Sequence, residues 1–146
     1  MIMLVLDIEA SGTEYQTHSI VSLGAIDLDN PERRFYEECR IWDGAHIMDG
    51  ALAVHGYTEA EITDPKRQTE AELIQRFMEW SQHIGNRTLV GQNVSFDRDF
   101  VHAACNRAGL PYDLAYRTLD THSLCYMHIL KRGLTPPIDL QHRRSA

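Results

Sequence analysis

The sequence predicts an α/β fold: one domain built on a mixed five-stranded sheet with helices on its faces. Two observations carry this expectation. Three strand-like runs joined by short turns fill residues 2–42, the pattern of an antiparallel meander. Beyond them the chain alternates strand, helix, strand and helix, which adds parallel strands to the same sheet.

Residues 2–8 are rich in leucine and β-branched side chains and predict a central strand ending on Asp7-Ile8-Glu9, with a turn at Ala10-Ser11-Gly12. Residues 19–28 predict a second strand, followed by turn residues Asp29-Asn30-Pro31. Residues 33–42 alternate, with Phe35, Cys39 and Ile41 on one side and Arg40 on the other, and predict a third strand. Asp49 and Thr58 read as N-caps of short helical turns. Thr69-Glu70-Ala71-Glu72 has the form of a capping box, and Leu73, Phe77, Trp80 and Ile84 then recur at helical spacing up to Gly85. Thr88-Leu89-Val90-Gly91 predicts a short buried strand. Ser95 to Ala108 predicts a helix with Phe96, Phe100 and Ala103 on one face and Gly109 past its end. Thr118-Leu119-Asp120 lies at a strand end, and Thr121 to Lys131 is helical, stopped by Gly133 and Pro136-Pro137. Trp80 and Met127 read as core.

Composition narrows the function classes. With 146 residues, 43% hydrophobic and 24% charged, the chain has the profile of a soluble globular domain. No run approaches the roughly 18 apolar residues of a membrane helix. The apolar opening from Met1 to Leu6 lacks a basic leader and reads as a strand, not a signal peptide. Cys39, Cys105 and Cys125 are odd in number and lack paired spacing, which predicts free thiols and a reducing, cytoplasmic location. Cys125 and His128 lack a second ligand pair, so no zinc site is expected, and His83, His102 and His122 read as helix-surface residues. A net charge of −7 leaves no basic stripe for gripping duplex DNA. A nucleic-acid partner would require local compensation, for which bound divalent cations are one means.

Asp7 and Glu9 stand two apart on a strand, so both carboxylates leave the same face and repel each other. A bare pair of this kind is more often a solvated strand end than a cation site. Other segments accompany it. Asp7-Ile8-Glu9-Ala10-Ser11-Gly12 and Asn93-Val94-Ser95-Phe96-Asp97 resemble the first two motifs of the DEDD (DnaQ-like) 3′→5′ exonuclease family, of RNase H-like fold. Gly91-Gln92 and Arg98-Asp99-Phe100 flank the second motif as the family pattern does. Ala53-Val54-His55-Gly56-Tyr57-Thr58 resembles the family's segment beside the nucleotide, and Leu119-Asp120-Thr121 its later D-T element. The resemblance covers nearly the whole chain.

That resemblance implies a two-metal hydrolysis of phosphodiester bonds at single-stranded DNA or RNA 3′ ends, releasing nucleoside monophosphates. The cofactor would be Mg²⁺ or Mn²⁺, hard cations that take oxygen ligands. Asp7 would bridge two ions, with Glu9 on the nucleophile side and Asp97 on the leaving-group side. The backbone around Ala10, Ser11 and Gly12 would admit the terminal nucleotide, with His55 and Asn93 near its sugar or base. Phe96 and Tyr57 fit base stacking or packing equally, and Asp120 is expected to order the chain without binding metal.

The family's last motif, a histidine and aspartate on a further helix, finds no match. His142 follows Asp120 too closely for the intervening helix, Asp139 lies on the wrong side of it, and the partner aspartate would fall beyond Ala146. The expectation is therefore an N-terminal portion of such an exonuclease, weakly active or inactive alone, with Arg143-Arg144 a frayed end. A non-cutting module that binds nucleic-acid ends or a protein partner is the alternative.

Overall fold

Apolar residues at every second position make Leu4–Ala10 the first strand, β1: Leu4, Leu6, Ile8 and Ala10 are buried, whereas Asp7 is exposed and Glu9 half-buried. A computed structural model describes residues 3–135, and in it β1 is the middle strand of a sheet ordered β3-β2-β1-β4-β5. β2 (Ile20–Asp27) runs antiparallel to β1, and β3 (Arg34–Glu38) antiparallel to β2. β4 (Leu89–Gly91) and β5 (Thr118–Asp120) continue the sheet in parallel on the other side. The five expected strands are present with the expected directions.

The third strand is shorter than its alternation predicts. Past Glu38 the Cys39 amide still reaches β2, donating to the Val21 carbonyl (2.9 Å). The Arg40 and Ile41 amides turn away to the carbonyls of Gln68 and Ile62 (2.9 and 2.8 Å), and Arg40 bridges to Thr69 instead. Alternation continues in the sequence after the backbone has changed partner.

Among the described residues, five helices follow the meander in chain order: α1 (Asp49–His55), α2 (Glu59–Ile62), α3 (Glu70–Ser81), α4 (Val94–Ala108) and α5 (Thr121–Lys131). Thr58 and Thr69 each close a full capping box, with Glu61 and Glu72 returning the bond. Asp49 is the first helical residue of α1, and Met48 holds the cap position without a side-chain bond. α3 ends at Ser81, so Ile84 enters the core from the turn beyond the helix. The buried face of α4 runs through Phe100, Val101, Ala104 and Cys105, one step round from Ala103. These residues join Leu6, Ile8, Leu23, Ala25, Leu73 and Phe77 in one core cluster, against which Trp80 is partly buried. Met127 does not join it: α5 buries no residue, and Met127 is 64% exposed. The helix is where the sequence predicts it, but among the described residues no layer covers it.

A buried ion pair bolts the helical layer to the sheet. Glu70, 2% exposed, accepts two bonds from Arg107 (Nε and Nη2, both 2.9 Å), one from the Ile20 amide (2.8 Å) and one from the Ser19 hydroxyl (3.0 Å). β2, α3 and α4 thus meet on one carboxylate.

Candidate active site

Two chain segments bring the acidic residues together. β1 carries Asp7 and Glu9 on the face opposite its buried leucines. At the end of β4, a Cβ on Gly91 would stand 2.8 Å from the Leu6 carbonyl, so only glycine lets the strands close. Asn93 then turns the chain into α4 with φ 54°, the sole non-glycine residue in the left-handed region among those described. That turn aims the first turn of α4 at β1. Asp97 Oδ1 accepts the Ile8 amide at 2.8 Å, in the sequence interval between Asp7 and Glu9. β1 pairs with β4 only at Leu4 and Val5, so the Asp97 carboxyl takes the place of a strand partner just beyond.

The three carboxyls are electrostatically linked. Burial is the largest influence on Asp97, which is 4% exposed, and pushes it up to about 7. The Ile8 amide pulls down against this, while Asp7 and Glu9 push further up. Burial also raises Asp7, and burial followed by the Asp7 charge raises Glu9. Among the described residues, no cationic side chain is among the causes acting on any of the three. Oxygen donors short of positive charge are the chemistry that suits a hard divalent cation. They are not gathered into a cage: among the described residues, no group of three or more His, Cys, Asp or Glu side chains is set to hold a metal ion. The expected single acidic cluster is thus coupled in charge but open in geometry, because Asp97 lies buried under the Ile8 amide while Asp7 faces outward.

The remaining expected site residues divide. His55 ends α1 and faces the Ala10 backbone. Burial lowers its pKa, the Ala10 contact opposes that, and Nδ1 accepts the Tyr57 amide (3.2 Å). Its Nε2 is buried without a hydrogen-bond partner. Asn93 is exposed, and its side chain makes no capping bond. Phe96 packs on Phe100, with centroids 4.8 Å apart. Ser11 serves the loop: its hydroxyl donates to the His46 carbonyl (2.8 Å) and accepts the Ser19 amide (2.9 Å), while its backbone bonds Ser19 and Met48. Asp120 caps α5 by accepting the His122 amide (2.8 Å). Asp139, His142, Arg143 and Arg144 lie outside the described residues.

Sequence reasoning missed His18 and the Glu38 brace. The buried His18 imidazole occupies the space a side chain on Gly12 would need, so this glycine is held by packing. Glu38 accepts the hydroxyls of Tyr57 (2.8 Å) and Tyr36 (2.9 Å). The glycine itself was legible in its motif, whereas nothing local marks His18 or Glu38.

Comparison with known proteins adds four findings. The exonuclease family RNase_T matches residues 4–135. The PolC-type DNA polymerase III of Bacillus cereus is 27% identical over 109 residues, which make up 73% of this chain and 7% of that protein. The zinc-bound E. coli ExoI–ssDNA complex superposes with a TM-score of 0.76 at 18% identity, over 94% of this chain and 32% of that one. E. coli Exonuclease I in complex with a 5cy-dA13 oligonucleotide gives 0.76 at 19%, over 90% and 30%. The chain spans about a third of the length of these structures and a small fraction of the polymerase.

Proposed function

This chain belongs to the RNase_T exonuclease family, among the DnaQ-like enzymes, and has their RNase H-like α/β fold; from that premise we propose that it hydrolyses phosphodiester bonds at the 3′ ends of single strands. The products are nucleoside monophosphates, and Mg²⁺ or Mn²⁺ is the cofactor. The observation that carries the reading is the Asp97 carboxyl seated on the Ile8 amide beside Asp7 and Glu9, with no cationic side chain among the described residues shifting any of the three. The similarity to the ExoI–ssDNA complex supports a single-stranded substrate.

Divalent ions, when bound, activate water and offset charge on the leaving oxygen. Asp7, Glu9 and Asp97 would hold them, and the Ile8 amide keeps Asp97 oriented. His55, against the Ala10 backbone, and the exposed Asn93 side chain would meet the terminal sugar or base. DNA and RNA both fit this donor set.

The test is mononucleotide release from 3′-labelled oligomers in Mn²⁺, with 5′-labelled and circular strands in parallel. Label freed first from the 3′ end, no cutting of circles and loss of turnover in Asp7→Asn are expected. Cutting of circles would replace the reading with an endonuclease. The open geometry of the three carboxyls favours one second reading, a module that binds ends without cutting. Oligomer binding with no turnover and no Mn²⁺-induced rise in melting temperature would select it.

A further inference from the structure

We propose that Tyr36 is a stacking platform for a base near the 3′ end of the bound strand, on the open sheet face beside Asp7. The inference deepens the proposed function and rests on it. The register places Asp7 opposite Gly24, and Gly24 opposite Tyr36, so the three share one face. Glu9, Ser22 and Glu38 form the next row on that face. Directly opposed residues lie about 5 Å apart, which puts the Tyr36 backbone roughly 10 Å from that of Asp7. Gly24 between them presents only backbone, and Tyr36 Cδ2 lies 3.8 Å from where its Cβ would be. No side chain stands between the carboxylate and the ring in this row.

The ring is both exposed and fixed, a combination that needs a cause. Tyr36 is 63% exposed, yet its hydroxyl donates to Glu38 Oε1 at 2.9 Å and lies 3.1 Å from the Tyr57 hydroxyl. Tyr57 donates to the same Glu38 oxygen at 2.8 Å, and Arg67 meets Glu38 Oε2 at 3.1 Å while stacking over Tyr57 at 5.6 Å. Arg67 offsets the Glu38 charge, so the brace adds no net repulsion toward phosphates. An aromatic face held in one orientation loses little entropy on binding, and proteins hold single strands by stacking bases on such faces. The plainer reading is a cross-strand tyrosine that shields Gly24 in the ladder. It accounts for the 3.8 Å contact, but leaves the doubly braced hydroxyl unexplained.

Leucine separates the two readings, because it shields a glycine and cannot stack. The measurement is fluorescence anisotropy of 5′-labelled dT12 with the full chain in Ca²⁺, repeated with an abasic site at each of the three 3′-terminal positions. Tyr36→Leu should weaken binding about 5- to 100-fold, the range for one stacked base, while Tyr36→Phe keeps most of the affinity. One abasic position should cost the parent a similar factor and cost Tyr36→Leu nothing. An abasic cost that persists in Tyr36→Leu, or parental affinity in that variant, overturns the platform and leaves the exonuclease reading standing. Failure of the parent to bind dT12 overturns both.

Discussion

Asp97 stands in the first turn of α4, where the helix dipole favours an anion, yet burial outweighs the dipole and pushes its carboxyl from the ordinary 3.8 up to about 7. Folding therefore strengthens proton binding at this group. The stability it contributes is complete below the unfolded value and is lost as pH rises through about 7. In EDTA, the parent's melting temperature should fall between about pH 4 and pH 7 by more than that of Asp97→Asn, which keeps an oxygen acceptor for Ile8 and cannot ionise. Equal pH profiles would show that the carboxyl is not held in its neutral form. Asp97→Ala leaves the Ile8 amide without its acceptor and should cost about 1–3 kcal/mol in urea unfolding. Gly12→Ala should cost a similar ~1–3 kcal/mol, because the added methyl collides with the buried His18 ring. His18→Ala in the same chain should recover part of that loss.

Among the secondary-structure elements, the Glu70–Arg107 pair dominates the expected mutational response. Removing Arg107 strands a carboxylate that is 2% exposed, and breaking such pairs costs about 3–5 kcal/mol. Arg107→Ala should fall toward the lower end, since the arginine side chain is itself 25% exposed. Glu70→Gln, which retains an acceptor for Ile20 and Ser19, should cost less; the opposite order in chemical denaturation would reject this account. The sequence showed Glu70 only as part of a capping box, because the arginine that completes the pair is 37 positions away. β1 was legible because its two-residue period is local and both its faces are strict. β3 was overrun because Arg40 and Ile41 keep that period after their amides have turned to Gln68 and Ile62. Asp7, Glu9 and Asp97 were singled out because their segments resemble family motifs, whereas the His18 packing and the Tyr36–Glu38–Tyr57 brace arise only when distant segments meet.

The whole molecule carries a charge of −7, so under the proposed function little of the hold on nucleic acid would come from released counterions. Each phosphate contact with a single strand contributes about 0.7 to the slope of log affinity against log salt, and a total slope below about 2 is expected. A steep slope would reveal a basic groove that the described residues do not suggest. The sheet order also fixes when the acidic site comes into being. β1, β2 and β3 are sequential neighbours, whereas the Ile8–Asp97 bond closes a separation of 89 positions. Contacts across so long a loop form late, after the meander has condensed. A cation held by Asp7, Glu9 and Asp97 would then find no partner in the transition state. Saturating Mn²⁺ should lower the unfolding limb of the chevron and leave the folding limb unmoved, as for any interaction absent from the nucleus. Faster refolding in Mn²⁺ would instead place the docking of α4 before the barrier. If it docks after, the ion acts as a latch on the finished protein: it lengthens the lifetime of the native state without hastening its birth.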